Sequence, residues 1–407
     1  MRSSLRAALL CVLLACPAAS WPEAPGADAR VQALRAAVAR DPSNSALLFY
    51  LARAQAASGD AKGAAASLAQ LASIADGYLP PRGDGFEKAW NDPAFASAVQ
   101  ALEAKLPRLD YAPVAFTIED PALIPEGLAY DAPSQAFFMG SIAEHKILRI
   151  DADQHIVEFA GAAAQLDSVL GLAVDAPRRK LYAVSTSALT EAGRQHLRNE
   201  VVAFDIDNGR LLQRFEVPLA TQLNDVAVAF GGRAFVTDSG SGQVFELQAD
   251  RPARVLVGAG QLRASNGIAA SADGKRLYVA HATGIAMVDV GTGTLKPLVN
   301  RTRENVAAID GLYQYNGGLI GVENVTNPGR VVLMRLSNAG DEIVEVRTVL
   351  SHHHNRLDEP TTGAVRADTG YFYLLAATGI GHFGAQGRIE NLDTLPAPAV
   401  LKVLLPR

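Results

Sequence analysis

Apolar positions along the chain follow two periods. Between Asp28 and Leu106 they recur at the spacing of helices, and from Val114 onward they alternate in short runs of the strand type. Val31, Leu34, Ala37 and Val38 predict a first helix, which Asp41-Pro42-Ser43-Asn44 ends while capping a second. Leu47 to Ala57 and Ala61 to Ile74, joined by Ser58-Gly59-Asp60, predict a helical hairpin whose packing face is Leu51, Ala52, Ala64, Leu68 and Leu71. After a break at Tyr78 to Gly85, Phe86 to Leu106 predicts another helix, with Pro107 as its stop. Residues 21–108 thus read as a small α-helical region, whose hairpin resembles a tetratricopeptide unit. One copy of such a repeat is too little to stand alone, since about three are needed, so a cap packed on the rest of the chain is expected.

From residue 109 to 407 a different unit recurs. A turn dipeptide, a short apolar run, a polar turn and a second β-rich run follow Glu126, Leu170, Asn224, Asn266, Asp310 and Thr362. The copies include PEGLAYDAPSQAFFMGS, LGLAVDAPRRKLYAVST, LNDVAVAFGGRAFVTDS and SNGIAASADGKRLYVAH, and the leading residues stand 44, 54, 42, 44 and 52 positions apart. That period belongs to four-stranded propeller blades. The fold class is therefore mainly β, a six-bladed β-propeller preceded by a small helical domain. The last blade is one strand short, and Val114 to Ile118 is predicted to complete it, closing first blade to last.

In such a blade the leading residue opens the innermost strand, so the six leading residues ring the central channel. Four of them, Glu126, Asn224, Asn266 and Asp310, offer carboxylate or amide oxygens, the set a hard cation such as Ca²⁺ prefers over zinc or copper. Mg²⁺ or Mn²⁺ fits the same donors. Leu170 and Thr362 carry no charge, which predicts an open side where a substrate approaches. The ring face is expected to carry Ser141 to His145, Ser185 to Asn199, Asp238 to Gly242, His281 to Gly284, Glu323 to Arg330 and Ser351 to Thr361. The second and last are long enough to act as lids. Within the last, His352-His353-His354 read as extended backbone point in alternating directions and cannot all face one ion.

Composition narrows the field. A net charge of -5 leaves no basic stripe for nucleic acid. No GxSxG, CxxC, HExxH or P-loop occurs, so serine-hydrolase, thiol, zincin and NTPase chemistry lack support. MRSSLR, the apolar run Ala7 to Ala15 and the small residues Ala18-Ala19-Ser20 predict a signal peptide over residues 1–20, hence export to a periplasmic or secreted location. Leu13-Leu14-Ala15-Cys16 also has the form of a lipobox, making a lipid anchor at Cys16 the alternative. No transmembrane span is predicted.

The runs PEGLAYD, LNDVAVAFGGRAFVTDS, SNGIAASADGKRLYVAH and IDGLYQYNGGLIGVEN resemble the senescence marker protein, gluconolactonase and paraoxonase group of calcium-dependent propellers, over roughly residues 112–407. The resemblance implies that Glu126, Asn266 and Asp310 bind a divalent metal. It gives Asn224 either the same role or a substrate contact, and makes Asp310 a general base. Two positions depart from it: Leu170 stands where paraoxonase-like enzymes carry a catalytic histidine, and Gln222 where gluconolactonase-like enzymes carry an arginine. A leucine cannot take a proton, and an amide supplies no charge to a polyhydroxy acid.

The leading expectation is a Ca²⁺-dependent hydrolase of lactones or esters, with Asp310 as base and His281 and His354 as reserve bases. The alternative is a metal-stabilised scaffold that binds a protein partner through its helical region or lids. A strictosidine-synthase-like propeller, which would not need four oxygen ligands, ranks below both.

Overall fold

The computed structural model describes residues 26–191 and 197–406. The segment expected to be a signal peptide, Cys16 with it, and the middle of the Ser185 to Asn199 loop lie outside the described residues. No helix among those described is long and apolar enough to cross a membrane.

Four helices come first among the described residues: α1 (Ala27–Arg40), α2 (Ser45–Ser58), α3 (Ala61–Ile74) and α4 (Pro93–Glu103). Gly59 ends α2 in the left-handed region at φ 93°, and the Asp60 carboxylate caps α3 by accepting from Gly63 N. Leu51 departs from the expected hairpin face, turning toward Val31 of α1 while Ala52, Ala64, Leu68 and Leu71 pack with Phe49, Phe86 and Phe95. The expected helix from Phe86 to Leu106 is shorter, because Pro93 has no N–H and fits only the first helical turn, where Asp92 caps by accepting from Ala94 N and Phe95 N. Phe86 and Ala89, in the turns before it, are buried all the same.

Six sheets follow. Blades one to four comprise residues 125–160, 168–216, 223–257 and 268–297, each a four-stranded antiparallel meander. Blade five, 309–350, gains a short fifth strand, Val299–Asn300, paired in parallel to its outer edge. Blade six joins Gly363–Arg366, Tyr371–Ala377 and Ala399–Leu404 to Val114–Thr117, with Val114 opposite Leu401 and Thr117 opposite Ala399. The closure drawn from sequence is therefore the one observed. It is buttressed by Phe137 of blade one, whose ring centroid lies 5.4 Å from Phe116 and 4.7 Å from Tyr373 of blade six. These rings are almost wholly out of water, each contributing roughly 2–3 kcal/mol of burial.

The helices pack on the ring face over blades four and five. Tyr50 Oη donates to Ala282 O (2.7 Å), Leu79 N to Thr326 O (2.9 Å), and Asn327 Nδ2 to Gly77 O (3.1 Å). Beneath Gly77 lies Arg330, 1% exposed, which donates to Glu323 (3.0 and 3.1 Å), Glu304 (2.8 Å) and the Asn305 carbonyl (3.1 Å). Any Cβ at position 77 would lie 2.4 Å from this guanidinium. The expected list of ring-face loops omitted residues 378–398, between the second and third strands of blade six. Phe383 from this segment is buried with Ile124, Ile142, Leu170, Leu189 and Leu223, so it crosses toward blades one to three.

Candidate metal centre

The ring residues owe their direction to irregular pairing. In blades one, two, three and five the register slips between the first two strands just at Glu126-Gly127, Leu170-Gly171, Asn224-Asp225 and Asp310-Gly311. A bulge there turns the leading side chain out of the pleat toward the channel. The glycine that follows answers crowding: a Cβ on Gly127 would lie 2.1 Å from Leu170 O, and one on Gly267 2.4 Å from Asp310 O. Blade three alone has an acid in this place. The Asp225 carboxylate bridges to the next blade, accepting from Ile268 N (3.1 Å) and Val226 N (2.9 Å).

Asp310 lies between two amides, accepting from Asn266 Nδ2 at 2.7 Å and Asn324 Nδ2 at 2.5 Å. Asn224 Nδ2 donates to Ser239 Oγ (2.9 Å). Glu126 is 4% exposed, and its Oε2 and Asn324 Oδ1 are buried oxygens without a hydrogen-bond partner among the described residues. Burial, opposed by the two amide donors, pushes Asp310 up to about 7. Asp225 also reaches about 7, through burial against its two backbone donors and with a contribution from the Asp310 charge. Glu126 is raised well above the usual carboxylate range, by burial first and then by Asp310 and Asp225. Burial of the hydroxyl end first, and then the same carboxylates, raise the half-buried Tyr313, whose Oη accepts from Gly363 N (2.7 Å).

Three buried acids with two orphaned oxygens are an uncompensated arrangement. A hard divalent cation fits it, because carboxylate and amide oxygens are its donors and its charge removes the penalty on ionising them. The residues that fit are Glu126, Asp310, Asn224, Asn266 and Asn324, with Asp225 close enough to feel the charge.

Other expectations come out differently. Thr362 Oγ1 donates to Glu126 O, and Thr361 Oγ1 joins it at 3.1 Å, so blade six clamps the backbone of the first ring residue. Leu170 is 3% exposed and packs in the Phe383 cluster. The side of the ring expected to be open is therefore covered by an insertion that sequence reading overlooked. His354 has both nitrogens engaged, Nε2 with Ala112 O (3.0 Å) and Nδ1 accepting from Arg356 N (3.1 Å), so as a free base it is ruled out. His281 is held down near 4 by burial, with Thr283 N 3.4 Å from its Nδ1. Asn324, Asp225 and Tyr313 escaped the sequence reading. The available signals were that Asp225 and Tyr313 lie one and three positions after ring residues, and that Asn324 belongs to the Glu323 to Arg330 loop expected on the ring face.

Fold and ring together define a closed six-bladed propeller with an oxygen-rich channel mouth. The SMP-30/gluconolactonase/LRE-like region matches residues 124–348, more than half of the chain, and the chain belongs to that family. No curated protein matches it. Among solved structures, one described as a glucose dehydrogenase from Thermus thermophilus is similar at 16% identity, covering 72% of this chain and 99% of that one, with a TM-score of 0.50. A gluconolactonase from Xanthomonas campestris is 17% identical over 73% of this chain and 91% of its own, with a TM-score of 0.48. Regucalcin from Agrobacterium tumefaciens, a calcium-binding protein, is 14% identical over 74% and 98%, with a TM-score of 0.49. At such identities the likeness is one of fold.

Proposed function

We propose that the protein is a divalent-metal-dependent hydrolase, with Ca²⁺ the favoured ion, acting on a small-molecule lactone or ester. The observation that carries this reading is the buried ring itself, in which Glu126 Oε2 and Asn324 Oδ1 have no donor while Asp310 is held between two amides. Glu126 and Asp310 supply negative charge, and Asn224, Asn266 and Asn324 supply neutral oxygens. When bound, a divalent cation provides Lewis-acid polarisation of a carbonyl and acidifies water. Asp310 is the proton acceptor, oriented by Asn266 and Asn324. Tyr313 adds a hydroxyl in the same charge environment, suited to donating a hydrogen bond to a developing oxyanion. His281, neutral at physiological pH, is the reserve base. Export through the amino-terminal segment belongs to the same proposal and rests on MRSSLR and the apolar run after it.

Leu170 and Gln222 favour a second reading, a metal-stabilised scaffold without catalysis, because neither can move a proton or bind an anion. A panel of lactones and aryl esters separates the two, assayed with and without chelator on the protein and on Asp310→Ala. Hydrolysis that disappears on chelation, returns with Ca²⁺ and is missing in the variant supports the enzyme. Activity surviving both treatments refutes the metal-hydrolase reading, and a silent panel with an intact Ca²⁺ effect on melting favours the scaffold.

A further inference from the structure

The end of α4 meets the loop between blades five and six at a place remote in sequence from the ring. Ser351 N–H donates to Leu109 O (2.8 Å) and Leu109 N–H to Ser351 Oγ (3.1 Å), tying the segment after the helices to this loop. His354 N–H returns to Ser351 O (3.1 Å), so residues 351–354 form a turn. The alternating directions expected of an extended run do not apply. In this turn the rings of His352 and His353 lie side by side, centroids 4.0 Å apart and 35° from parallel. His354 is directed elsewhere. Glu103, the last residue of α4, has Oε1 4.0 Å from His352 Nε2, and one ligand atom from each of Glu103, His352 and His353 lies within 4.8 Å of the others.

We propose that Glu103, His352 and His353 form a second cation site, for a borderline transition metal of the Zn²⁺ class, at the joint between the helical cap and the propeller. Two imidazoles and one carboxylate are ligands such metals favour and Ca²⁺ does not. The hydrogen bonds prepare the donors. Ser351 Oγ has one proton, which it gives to Leu109 O (3.1 Å). His353 Nδ1, 3.0 Å from that oxygen, therefore donates to it and keeps its lone pair on Nε2. The buried Nδ1 of His352 has no hydrogen-bond partner among the described residues. Burial and then the neighbouring His353 lower its pKa against the opposing Glu103 charge, which favours the neutral form that binds metal. Arg108, the one cation acting on His352, is itself paired with Asp110 (3.4 Å). Tetrahedral ligands about 2.1 Å from an ion stand roughly 3.4 Å apart. The half-exposed Glu103 side chain is free to swing in by the remaining distance. An ion here would clip α4 to the loop that ends in Thr361 and Thr362, the two residues holding the Glu126 carbonyl.

The test is a calorimetric titration of Zn²⁺ into untagged, Ca²⁺-saturated full-length protein. It should show one Zn²⁺ per chain. His352→Gln and His353→Gln should each weaken binding by about tenfold or more, and the double variant should lose the Zn²⁺-induced rise in melting temperature while keeping that from Ca²⁺. Co²⁺ as a probe should give visible absorption in the protein and none in the double variant, whose fold circular dichroism verifies. The Asp151-Asp153-His155 turn is the competing cluster, and there Asp151 already accepts from Asp153 N and His155 N. His155→Gln should leave the stoichiometry unchanged. Unaltered Zn²⁺ affinity in the double variant, loss in His155→Gln, or no Zn²⁺ binding to the folded protein would overturn the proposal.

Discussion

If the ring holds Ca²⁺, binding must expel protons, and the thermal effect of the ion must depend on pH. Asp310 and Asp225 both lie near 7 without metal, raised from 3.8. For a raised carboxyl the folded protein binds more protons than the unfolded chain between roughly pH 4 and 7, so stability of the metal-free form falls as pH rises through that window. His281, depressed to about 4, acts in the opposite direction below its unfolded pKa. The useful quantity is therefore the difference between Ca²⁺ and chelator at each pH, in which His281 cancels. A carboxyl of pKa about 7 that must ionise weakens binding about tenfold between pH 8 and pH 6, or ~1.4 kcal/mol. Two such groups give about 3 kcal/mol. With an unfolding entropy of ~2.1 cal/mol/K per residue, a chain of this length has a total of about 0.8 kcal/mol/K. With Glu126, also raised, adding in the same direction, the Ca²⁺-induced gain in Tm should thus be at least about 3 °C larger at pH 8 than at pH 6. Differential scanning fluorimetry measures it, and calorimetry in two buffers of different ionisation enthalpy counts the protons. An equal gain at both pH values, or binding without proton release, would refute the reasoning.

Three further outcomes are expected. Glu126→Gln removes the charge on an orphaned buried oxygen, so it should raise Tm in chelator and reduce the gain from Ca²⁺, both read in the same fluorimetric assay. Arg330→Met leaves Glu323 buried and unpaired, a loss of about 3–5 kcal/mol in urea unfolding. Tyr50→Phe deletes the hydrogen bond to Ala282 O, costing about 1 kcal/mol, with faster amide exchange in α2 than in the blades as the diagnostic.

Blade number, the ring register and the closing strand were legible because each follows from strand periodicity and a repeat of nearly constant length. The helical boundary at Pro93 was legible in principle, since Asn91-Asp92-Pro93 is a strong start signal, yet the apolar spacing running from Phe86 masked it. Asn324 was legible only as a member of the ring-face loop Glu323 to Arg330: it follows the second strand of blade five, outside the repeated register, and the fold alone sets its contact with Asp310. The segment 378–398 carries no sustained period, being three short 3₁₀ turns, so its passage over Leu170 had no signature. The shared direction of His352 and His353 was not legible for a related reason, although His354 does turn away from them as expected. Side-chain direction in a loop depends on the turn adopted, and one hydrogen bond, His354 N to Ser351 O, decides it.

Ring closure also sets an order in time. Val114 is synthesised 287 positions before its partner Leu401, and holding such a loop shut costs about 5 kcal/mol of chain entropy beyond a constant. Until the last strand leaves the ribosome, the nascent chain has a helical cap and five blades with an unpaired strand waiting between them. Glu126 lies only 12 residues beyond Val114, and its carbonyl is held by Thr361 and Thr362 of the final blade. The first ring residue to be made is consequently among the last to be fixed, and a truncated chain would lose the candidate metal centre before it lost most of its sheet.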